Sequence, residues 1–342
     1  MLNPQSYKTH CSHAQSWTVR VQDAHLVVTQ QDKVVAELVI TEQLDEQVSL
    51  RATKLPALMS ESIAVLAFAV NGLFDNFNTV KTVAFSCQDS PELCRLLLKH
   101  GWLASADYVS IVWARRDMFR QLPDYWLLAN QTTLMPLHYT VSDGKRHPVR
   151  APYSNGEVYQ RFVPELGQCF SLRTVEPTRD VDVFHAWQNN PRVAAFWEIP
   201  GTRQEHLDYL YKVTADPHLH PVIAYFDAQP FAYFEIYWAK EDRIAPFYQV
   251  DDYDRGVHML VGEESMRGPH RVAAWLTSLA HYMFLSDPRT RHVVAEPRAD
   301  NAKMIVYMMN AGFYRAKEFD FPHKRAALMV LSREAYFSQF CL

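Results

Sequence analysis

A strand–turn–helix pattern that occurs twice, 211 residues apart, constrains the fold of this 342-residue chain more than any other feature. The matched pairs are Val83-Ala84 and Val294-Ala295, Asp89-Ser90 and Asp300-Asn301, and Gly101-Trp102 and Gly312-Phe313. A long helical pattern precedes each copy, at 57–76 and at 269–285. Two copies of one α/β fold in tandem explain this constant spacing. Because the unit is a common one, chance similarity is the alternative explanation.

Length and composition agree with two domains of ordinary size. A chain of 342 residues is long for one domain, and 48% hydrophobic residues allow each half to bury a core. Residues 141–164 are rich in Gly, Pro, Ser and Asn, which is typical of a linker. We therefore predict an α/β fold of the α+β mixed-sheet kind in each half. The expected division is a degenerate scaffold domain at 1–140, a linker at 141–164 and a catalytic domain at 165–342.

Charge and cysteine usage exclude several classes of protein. The formal net charge is -4 and no Lys/Arg stripe is present, which argues against a nucleic-acid or membrane partner. The five cysteines are widely spaced and form no CxxC pair, so neither a zinc ribbon nor a disulfide scaffold is expected. We expect reduced thiols in a cytoplasmic protein that binds no metal. The longest apolar stretch, 57–74, contains polar residues and predicts a buried helix rather than a membrane span.

A candidate anion-binding turn lies in the second half of the chain. Residues 256–262 predict a strand, which leads through Arg267-Gly268 into a helix that starts near Pro269. A glycine at this junction lets the backbone approach a ligand, and the free N–H groups of the helix then face an anion. The diphosphate of coenzyme A is such an anion. Simple capping of the helix is the alternative.

His258 is the candidate proton acceptor. It lies in the middle of the 256–262 strand, on the face that also carries two glycines, so there is space beside its ring. A neutral imidazole takes up a proton near pH 7, whereas a hydrogen-bonded core histidine is the other interpretation. Glu296 and Asp300 follow the next strand and would orient the ring. Asp300 also fits an ordinary helix cap.

Aromatic residues dominate the strand predicted at 231–239. Alternation separates one face with Tyr233, Glu235 and Tyr237 from another with Phe234, Ile236 and Trp238. One face must join the core, and the other is free to line a narrow slot for an aliphatic amine. Near the end of the chain, Lys324 either holds a carboxylate or phosphate or lies in solvent.

Longer motifs in the second half carry a resemblance to a known family. They are Phe196-Trp197-Glu198, Phe234–Trp238, Asp254–Glu263, Arg267-Gly268-Pro269-His270, Glu296–Asn301 and Lys317–Arg325. From about Phe196 onward the chain resembles the siderophore branch of the GNAT acyltransferases, most closely the aerobactin-type N6-hydroxylysine acetyltransferases. The resemblance implies a GNAT fold and an acyl-CoA co-substrate. It also implies acyl transfer to the hydroxylated nitrogen of a lysine or diamine, which yields the hydroxamate of a siderophore.

The resemblance also assigns roles to residues. His258 corresponds to the catalytic histidine of the family. Arg298 stands where relatives outside the aerobactin group carry Asp, so Asp300 is the first candidate for the carboxylate partner of His258 and Glu296 the second. The residues expected to bind acyl-CoA are Met259, Leu260, Val261, Arg267, Gly268 and Asn301. The residues expected to bind the acceptor are Trp197, Glu235, Tyr237, Trp238, Arg255 and Lys324.

Several alternatives stay open from the sequence. The acyl group is acetyl or succinyl, and the acceptor is N6-hydroxylysine, N-hydroxyputrescine or N-hydroxycadaverine. Expected protein partners are the siderophore synthetase and the N-hydroxylase of the same pathway. The competing functions are a non-catalytic GNAT-like binding or assembly protein and an N-acetyltransferase for unhydroxylated lysine.

Overall fold

The computed structural model describes residues 5–8, 17–22, 24–105, 108–128 and 135–339, and these form two compact units. The described residues up to Tyr125, together with Arg161–Cys169, make the first unit. Trp126–Gln160 and Phe170–Gln339 make the second. The main division therefore falls near residue 125, whereas the sequence predicts a linker at 141–164 between the domains.

The first unit is built on an eight-stranded sheet with the order β1-β2-β3-β4-β5-β6-β8-β7. Its strands are β1 (Gln5–Lys8), β2 (Trp17–Gln22), β3 (His25–Gln30), β4 (Lys33–Gln43), β5 (Gln47–Lys54), β6 (Thr82–Ser86), β7 (Leu103–Ser105) and β8 (Tyr108–Arg115). Neighbouring strands are antiparallel except β5 and β6, which run parallel. A crossover helix must therefore join β5 to β6.

That crossover is helix α1 (Met59–Asn76), whose apolar residues are buried on most sides. Helix α2 (Pro91–Lys99) follows β6, with Ser90 capping its first turn and Pro91 at the first helical position. After β8 come the short helix α3 (Arg116–Phe119) and a 3-10 turn at Pro123–Tyr125.

The second unit contains a two-stranded sheet and a second eight-stranded sheet with the order β11-β12-β13-β14-β15-β16-β18-β17. The strands are β9 (Tyr139–Ser142), β10 (Lys145–Pro148), β11 (Glu157–Val163), β12 (Gln168–Thr174), β13 (Leu219–Phe226), β14 (Gln229–Trp238), β15 (Arg255–Val261), β16 (His292–Ala295), β17 (Tyr314–Asp320) and β18 (Arg325–Ser332). Again one neighbouring pair, β15 and β16, is parallel.

The helices of the second unit flank this sheet. They are α4 (Pro177–Gln188), α5 (Pro191–Trp197), α6 (Arg203–Ala215), α7 (Pro269–Ser286), α8 (Ala302–Asn310) and α9 (Arg333–Gln339). The crossover between β15 and β16 is α7. Helix α6 was not predicted, although Thr202 and Glu205 form a reciprocal capping box at its start.

The two large sheets share one topology, which confirms the tandem predicted from the internal repeat. Each has a run of antiparallel strands, one parallel pair joined by an 18-residue helix, and a final antiparallel hairpin with a reversed order. Helices α2 and α8 begin and end at positions that differ by the same 211 residues as the repeat.

Residues 141–164, expected to be a linker, form regular structure in part. They contribute to β9, β10 and β11, and β11 is the first strand of the second eight-stranded sheet. The glycines that suggested a linker occupy turns: Gly144 and Gly156 have φ of 77° and 79°. A residue with a side chain rarely adopts these angles, so the composition signals turns between short strands.

Two broader expectations also have outcomes. Cys87 and Cys94 are free and buried, as expected, whereas Cys169 is disulfide-bonded, so the prediction of wholly reduced thiols is wrong. Cysteine spacing alone does not show which residues the fold brings together. In the described part of the chain, every helix is too short or too polar to cross a membrane.

Candidate active site

The parallel pair of the second sheet separates after two residues and leaves an opening. β15 and β16 are paired at Arg255 and Gly256, whereas β15 continues to Val261. On its other side, β15 pairs with β14 over its whole length. We call the opening beyond Gly256 the strand gap.

Backbone groups of β15 face the strand gap. Ala239 N donates to Asp254 O at one end of the β14–β15 pair, and Gly262 N donates to Phe231 O at the other. Alternation along an antiparallel pair therefore turns the backbone groups of Met259 and Val261 away from β14 and toward the gap. Leu260 is turned toward β14. Of Met259 and Leu260, both expected to bind acyl-CoA, Met259 alone presents its N–H to the gap.

A cavity of about 660 Å³ lies at the strand gap. Its walls come from β14 and β15, from α5, from the segment after β16 and from the turn before β18. The ring of His258 lines it, with about a quarter of the side chain (24%) exposed. A ligand in this cavity therefore reaches both His258 and the backbone of β15.

His258 lies between two buried carboxylates. Its Nε2 is 2.8 Å from Oε1 of Glu296, and its Nδ1 is 3.2 Å from Oε2 of Glu235. Glu235 is directly opposite His258 in the β14–β15 register, and Glu296 follows β16. The side chains of Glu235 and Glu296 are only 6% and 1% exposed, so this is a desolvated carboxylate–imidazole–carboxylate cluster.

Hydroxyl groups complete the carboxylate cluster. The Tyr237 hydroxyl donates to Oε2 of Glu296 at 2.7 Å, and the Tyr233 hydroxyl donates to Oε1 of Glu235 at 2.9 Å. The Tyr209 hydroxyl, on α6, also donates to Oε1 of Glu235. Gly256 leaves room for the Tyr237 ring, because a Cβ at Gly256 would lie 2.0 Å from that ring. Each carboxylate therefore has a fixed orientation toward His258.

The cluster changes the charge states of its members. Burial alone would lower the pKa of His258, but the charges and hydrogen bonds of Glu296 and Glu235 raise it to about 10. Burial alone would raise the pKa of Glu296, but His258, with Lys324 and Tyr237, lowers it to about 2. The resting cluster thus carries an imidazolium between two carboxylates at neutral pH. The neutral imidazole assumed from the sequence is not the resting state.

The predicted anion-binding turn has the expected backbone. Gly268 precedes α7 with φ of 133° and ψ of 154°, a region that is essentially open only to glycine. No side chain caps this helix end, so its N–H groups are available. Burial, followed by the positive charge of Arg267, lowers the pKa of Arg192. Helix dipole and positive charge thus favour an anion.

Most of the predicted site residues meet at the cavity. Those that line it are Trp197, Glu235, His258, Met259, Leu260, Val261, Glu296, Asn301 and Lys324. Tyr237 does not line the cavity, but its hydroxyl donates to Glu296, which does. Arg267 and Gly268 lie at the start of α7 and do not line this cavity.

Three predicted residues occupy other positions. Asp300, the first candidate for the partner of His258, is exposed and pairs with Arg298 at 3.0 Å, while Asn301 caps α8. The carboxylates beside His258 are Glu296 and Glu235, because strand register rather than proximity in sequence sets the distance. Arg255 and Trp238 line a separate cavity of about 70 Å³, where the guanidinium stacks 4.1 Å from the indole ring. Both residues point to the opposite face of the sheet from His258.

The sequence did not reveal four other residues at the cavity: Arg192, Tyr209, His218 and Arg243. The capping box before α6 was a detectable signal for the helix that carries Tyr209. Arg243 belongs to the motif Glu241-Asp242-Arg243-Ile244, in the turn after β14, but no spacing rule placed it near His258.

Comparisons with known proteins agree with this geometry. A family model described as an acetyltransferase (GNAT) domain matches residues 176–321. The N(6)-hydroxylysine O-acetyltransferase of Escherichia coli is 40% identical over 229 residues, which cover 66% of this chain and 71% of that protein. The N(5)-hydroxyornithine:cis-anhydromevalonyl coenzyme A-N(5)-transacylase of Beauveria bassiana is 48% identical over 199 residues, which cover 57% of this chain and 44% of that protein.

A solved structure supports the same fold. The crystal structure of an uncharacterized protein from Bacillus halodurans is 28% identical, with a TM-score of 0.51, over 54% of this chain and 96% of that chain. The matches confirm the fold predicted from the sequence. The matched region spans between 40% and 71% of the length of the curated relatives.

Proposed function

Because this chain belongs to the acetyltransferase (GNAT) family, we propose that it transfers an acyl group from acyl-CoA to an N-hydroxylated amine. The product is the hydroxamate of a siderophore, and the acceptor is a lysine, an ornithine or a related diamine hydroxylated on its terminal nitrogen. The names of two relatives, a hydroxylysine acetyltransferase and a hydroxyornithine transacylase, support this acceptor class. The reaction takes place in the cytoplasm, together with the synthetase and N-hydroxylase of the pathway.

The single observation that carries the proposal is the position of His258. It stands between two buried carboxylates at an opening in the sheet, where the N–H of Met259 faces the same cavity. A proton acceptor and an oxyanion donor on one strand are what acyl transfer to nitrogen needs. Catalysis belongs to the second unit, and the first unit serves as a scaffold.

The proposed step is direct attack of the acceptor nitrogen on the thioester carbon. The nitrogen–carbon bond forms, the carbon–sulfur bond breaks, and the proton lost by nitrogen passes through His258 to the coenzyme A sulfur. The Met259 N–H stabilises the negative oxygen of the tetrahedral intermediate. Since Glu296 and Glu235 hold the pKa of His258 well above 7 in the free protein, only a small fraction of molecules has a neutral His258 at pH 7.

The acyl-CoA diphosphate is proposed to bind at the start of α7. Gly268 and the uncapped N–H groups there suit an anion, and Arg192 and Arg267 add positive charge. The acyl chain then enters the strand gap beside Met259, Val261 and Asn301. Acetyl and succinyl are the two proposed acyl groups, and no metal takes part in this scheme.

One experiment tests the reaction and its regiochemistry together. The full chain is incubated with acetyl-CoA or succinyl-CoA and with N6-hydroxylysine, N5-hydroxyornithine, N-hydroxyputrescine or N-hydroxycadaverine. Release of the coenzyme A thiol reports transfer, and ferric iron added afterwards reports a hydroxamate by its colour. N-acylation gives both signals. O-acylation, which the name of the E. coli relative states for that protein, releases thiol without the ferric colour.

The same assay separates the competing functions. A non-catalytic binding or assembly protein releases no thiol with any donor and acceptor. An ordinary N-acetyltransferase prefers lysine over N6-hydroxylysine when both are present at equal concentration. Either result would contradict the proposed function.

A further inference from the structure

We propose that Asp242 and Arg243 form a subsite for the α-amino-acid head group of the acceptor, so that the preferred acceptor is an N-hydroxylated amino acid rather than a diamine. This inference rests on the proposed function. Arg243 would bind the α-carboxylate, and Asp242 would bind the α-ammonium group. We call these two residues the head-group turn, since both lie in the tight turn that follows β14.

The guanidinium of Arg243 lies at the cavity and forms no hydrogen bond with another described residue. Its side chain is 49% exposed at the cavity, and its charged carbon lies 5.2 Å from the centre of the Phe321 ring. In the described part of the chain, its nearest carboxylate oxygen is Oε1 of Glu296, at 3.8 Å. That distance exceeds a hydrogen bond, and both Glu296 oxygens already accept bonds from His258 and Tyr237. The planar fork of Arg243 is therefore available for a ligand carboxylate.

Asp242 likewise has one carboxylate oxygen that is available for a ligand. Its Oδ1 accepts the backbone N–H of Ile244 at 2.9 Å, which fixes the turn. Its Oδ2 lies 3.5 Å from Nε2 of His218, and the side chain is only 13% exposed. His218 also lines the cavity, and among the described residues neither of its ring nitrogens has a hydrogen-bond partner. A buried carboxylate oxygen beside an unbonded imidazole suits an ammonium ligand.

The distance between His258 and Arg243 is one that a short aliphatic chain can span. His258 Nε2 and Arg243 Nη2 lie 2.8 Å and 3.8 Å from the same oxygen of Glu296. Those two nitrogens are therefore at most 6.6 Å apart, the sum of the two distances. One substrate can thus place its hydroxylamine at His258 and its carboxylate at Arg243. A diamine would leave the Arg243 guanidinium without a partner.

The other Lys and Arg side chains of the cavity each donate to a protein oxygen. Arg298 forms two bonds with Asp300, at 3.1 and 3.0 Å. Lys324 donates to the backbone oxygen of Glu296 at 2.7 Å, and Arg192 donates to the oxygens of Val261 and Gly262. Arg243 is therefore the cavity cation best suited to an acceptor carboxylate.

Three acceptors that differ by one group each provide the test. N6-hydroxylysine has both the carboxylate and the ammonium group, N-hydroxycadaverine lacks the carboxylate, and 6-(hydroxyamino)hexanoic acid lacks the ammonium group. R243Q should lower kcat/KM roughly 10- to 100-fold for the two acceptors with a carboxylate and leave N-hydroxycadaverine within about threefold. D242N should show the complementary pattern, with 6-(hydroxyamino)hexanoic acid spared. R203Q, at an exposed arginine that pairs with Asp182 at 2.6 Å and does not line the cavity, is the matched control and should change none of the three.

Different failures of this test have different meanings. An equal loss for all three acceptors with R243Q shows that Arg243 acts through Glu296, and it overturns the subsite. A loss of activity in R243Q that appears with succinyl-CoA but not with acetyl-CoA shows that Arg243 binds the acyl group of the donor. That result also overturns the subsite. Calorimetric binding of N6-hydroxylysine to the wild-type chain and to R243Q is measured in parallel. Carboxylate-dependent binding without turnover contradicts the proposed function alone, and turnover without carboxylate dependence contradicts the subsite alone.

Discussion

The two large sheets have the same strand order but differ at their single parallel pair. In the first sheet, β5 and β6 stay paired over five residues, from Gln47–Thr82 to Arg51–Ser86. In the second, β15 and β16 pair at Arg255 and Gly256 and then separate. Continuous pairing satisfies the backbone groups of β5 internally, whereas the strand gap leaves those of Met259 for a ligand. One topology therefore gives a closed sheet in one unit and a cavity in the other.

The strand register identifies the residues of the first sheet that correspond to His258, Glu235 and Glu296. Aligning the two parallel pairs by the 211-residue offset places Leu50 at the position of His258. The cross-strand partner of Leu50 is Ile40, where the second sheet has Glu235, and Phe85 stands where it has Glu296. Three apolar residues thus replace the whole carboxylate–imidazole–carboxylate cluster. The two sheets therefore share a scaffold and differ in these three side chains and in one separated strand pair, on which the proposed function rests.

The largest expected effect comes from removing the proton acceptor. H258A should lower kcat at least about 100-fold, because general-base catalysis contributes that much or more, while the KM for acyl-CoA changes little. Thiol release in the presence of N6-hydroxylysine measures it. L50A, at the equivalent position of the first sheet, is the matched control and should destabilise its own unit by about 2–5 kcal/mol without lowering kcat in the folded protein. Near-wild-type turnover by H258A would falsify the assignment.

The next prediction concerns pH. The folded-state pKa of His258 is raised to about 10, so the neutral base becomes more abundant as pH rises. We expect kcat/KM to increase about tenfold per pH unit between pH 7 and pH 10. E296Q removes the largest charge that raises this pKa, and it should move the end of the rising limb down by about one to three units.

A pH–rate profile of wild type and E296Q with N6-hydroxylysine checks this expectation. The acceptor nitrogen is less basic than an alkylamine and is largely neutral at pH 7, so its own titration lies below the range that matters. A flat wild-type profile from pH 7 to pH 10 would mean that His258 remains protonated and that a different group takes the proton.

Part of this architecture could be predicted from the sequence. The constant 211-residue offset indicated two similar sheets. The glycine before a helix indicated the unusual backbone conformation at Gly268. Both signals can be read from short stretches of sequence. His258 was recognised by its strand position and by resemblance. Glu296 was its second candidate partner and does contact it, whereas Glu235 was expected only to bind the acceptor, because the strand pairing that brings it opposite His258 cannot be read from the sequence. Asp300 was the first candidate for this partner from the sequence, but in the structure its carboxylate accepts hydrogen bonds from Arg298.

A third prediction tests the anion-binding turn. Ala at Gly268 would have to adopt φ of 133°, which costs about 1–3 kcal/mol and displaces the first turn of α7. G268A should therefore raise the KM for acyl-CoA roughly tenfold with little change in kcat. In the first sheet, Leu58 precedes α1 with an ordinary φ of -79°, so L58A is the control and should leave this KM unchanged. If both variants keep the wild-type KM, the diphosphate binds elsewhere.

The smallest expected effect concerns the hydroxyl that orients Glu296. Y237F removes a 2.7 Å hydrogen bond to Oε2 of Glu296 in a buried position, and about 0.5–1.5 kcal/mol corresponds to roughly a 2- to 10-fold loss of kcat. Tyr248 donates a comparable bond to Asp254 at 3.2 Å, away from His258, so Y248F is the matched control. Both variants should lose stability to a similar degree in chemical denaturation. Of these two variants only Y237F should lower kcat, because Tyr237 holds a carboxylate that contacts His258 and Tyr248 does not. An equal loss of kcat in both would show that general destabilisation explains the effect.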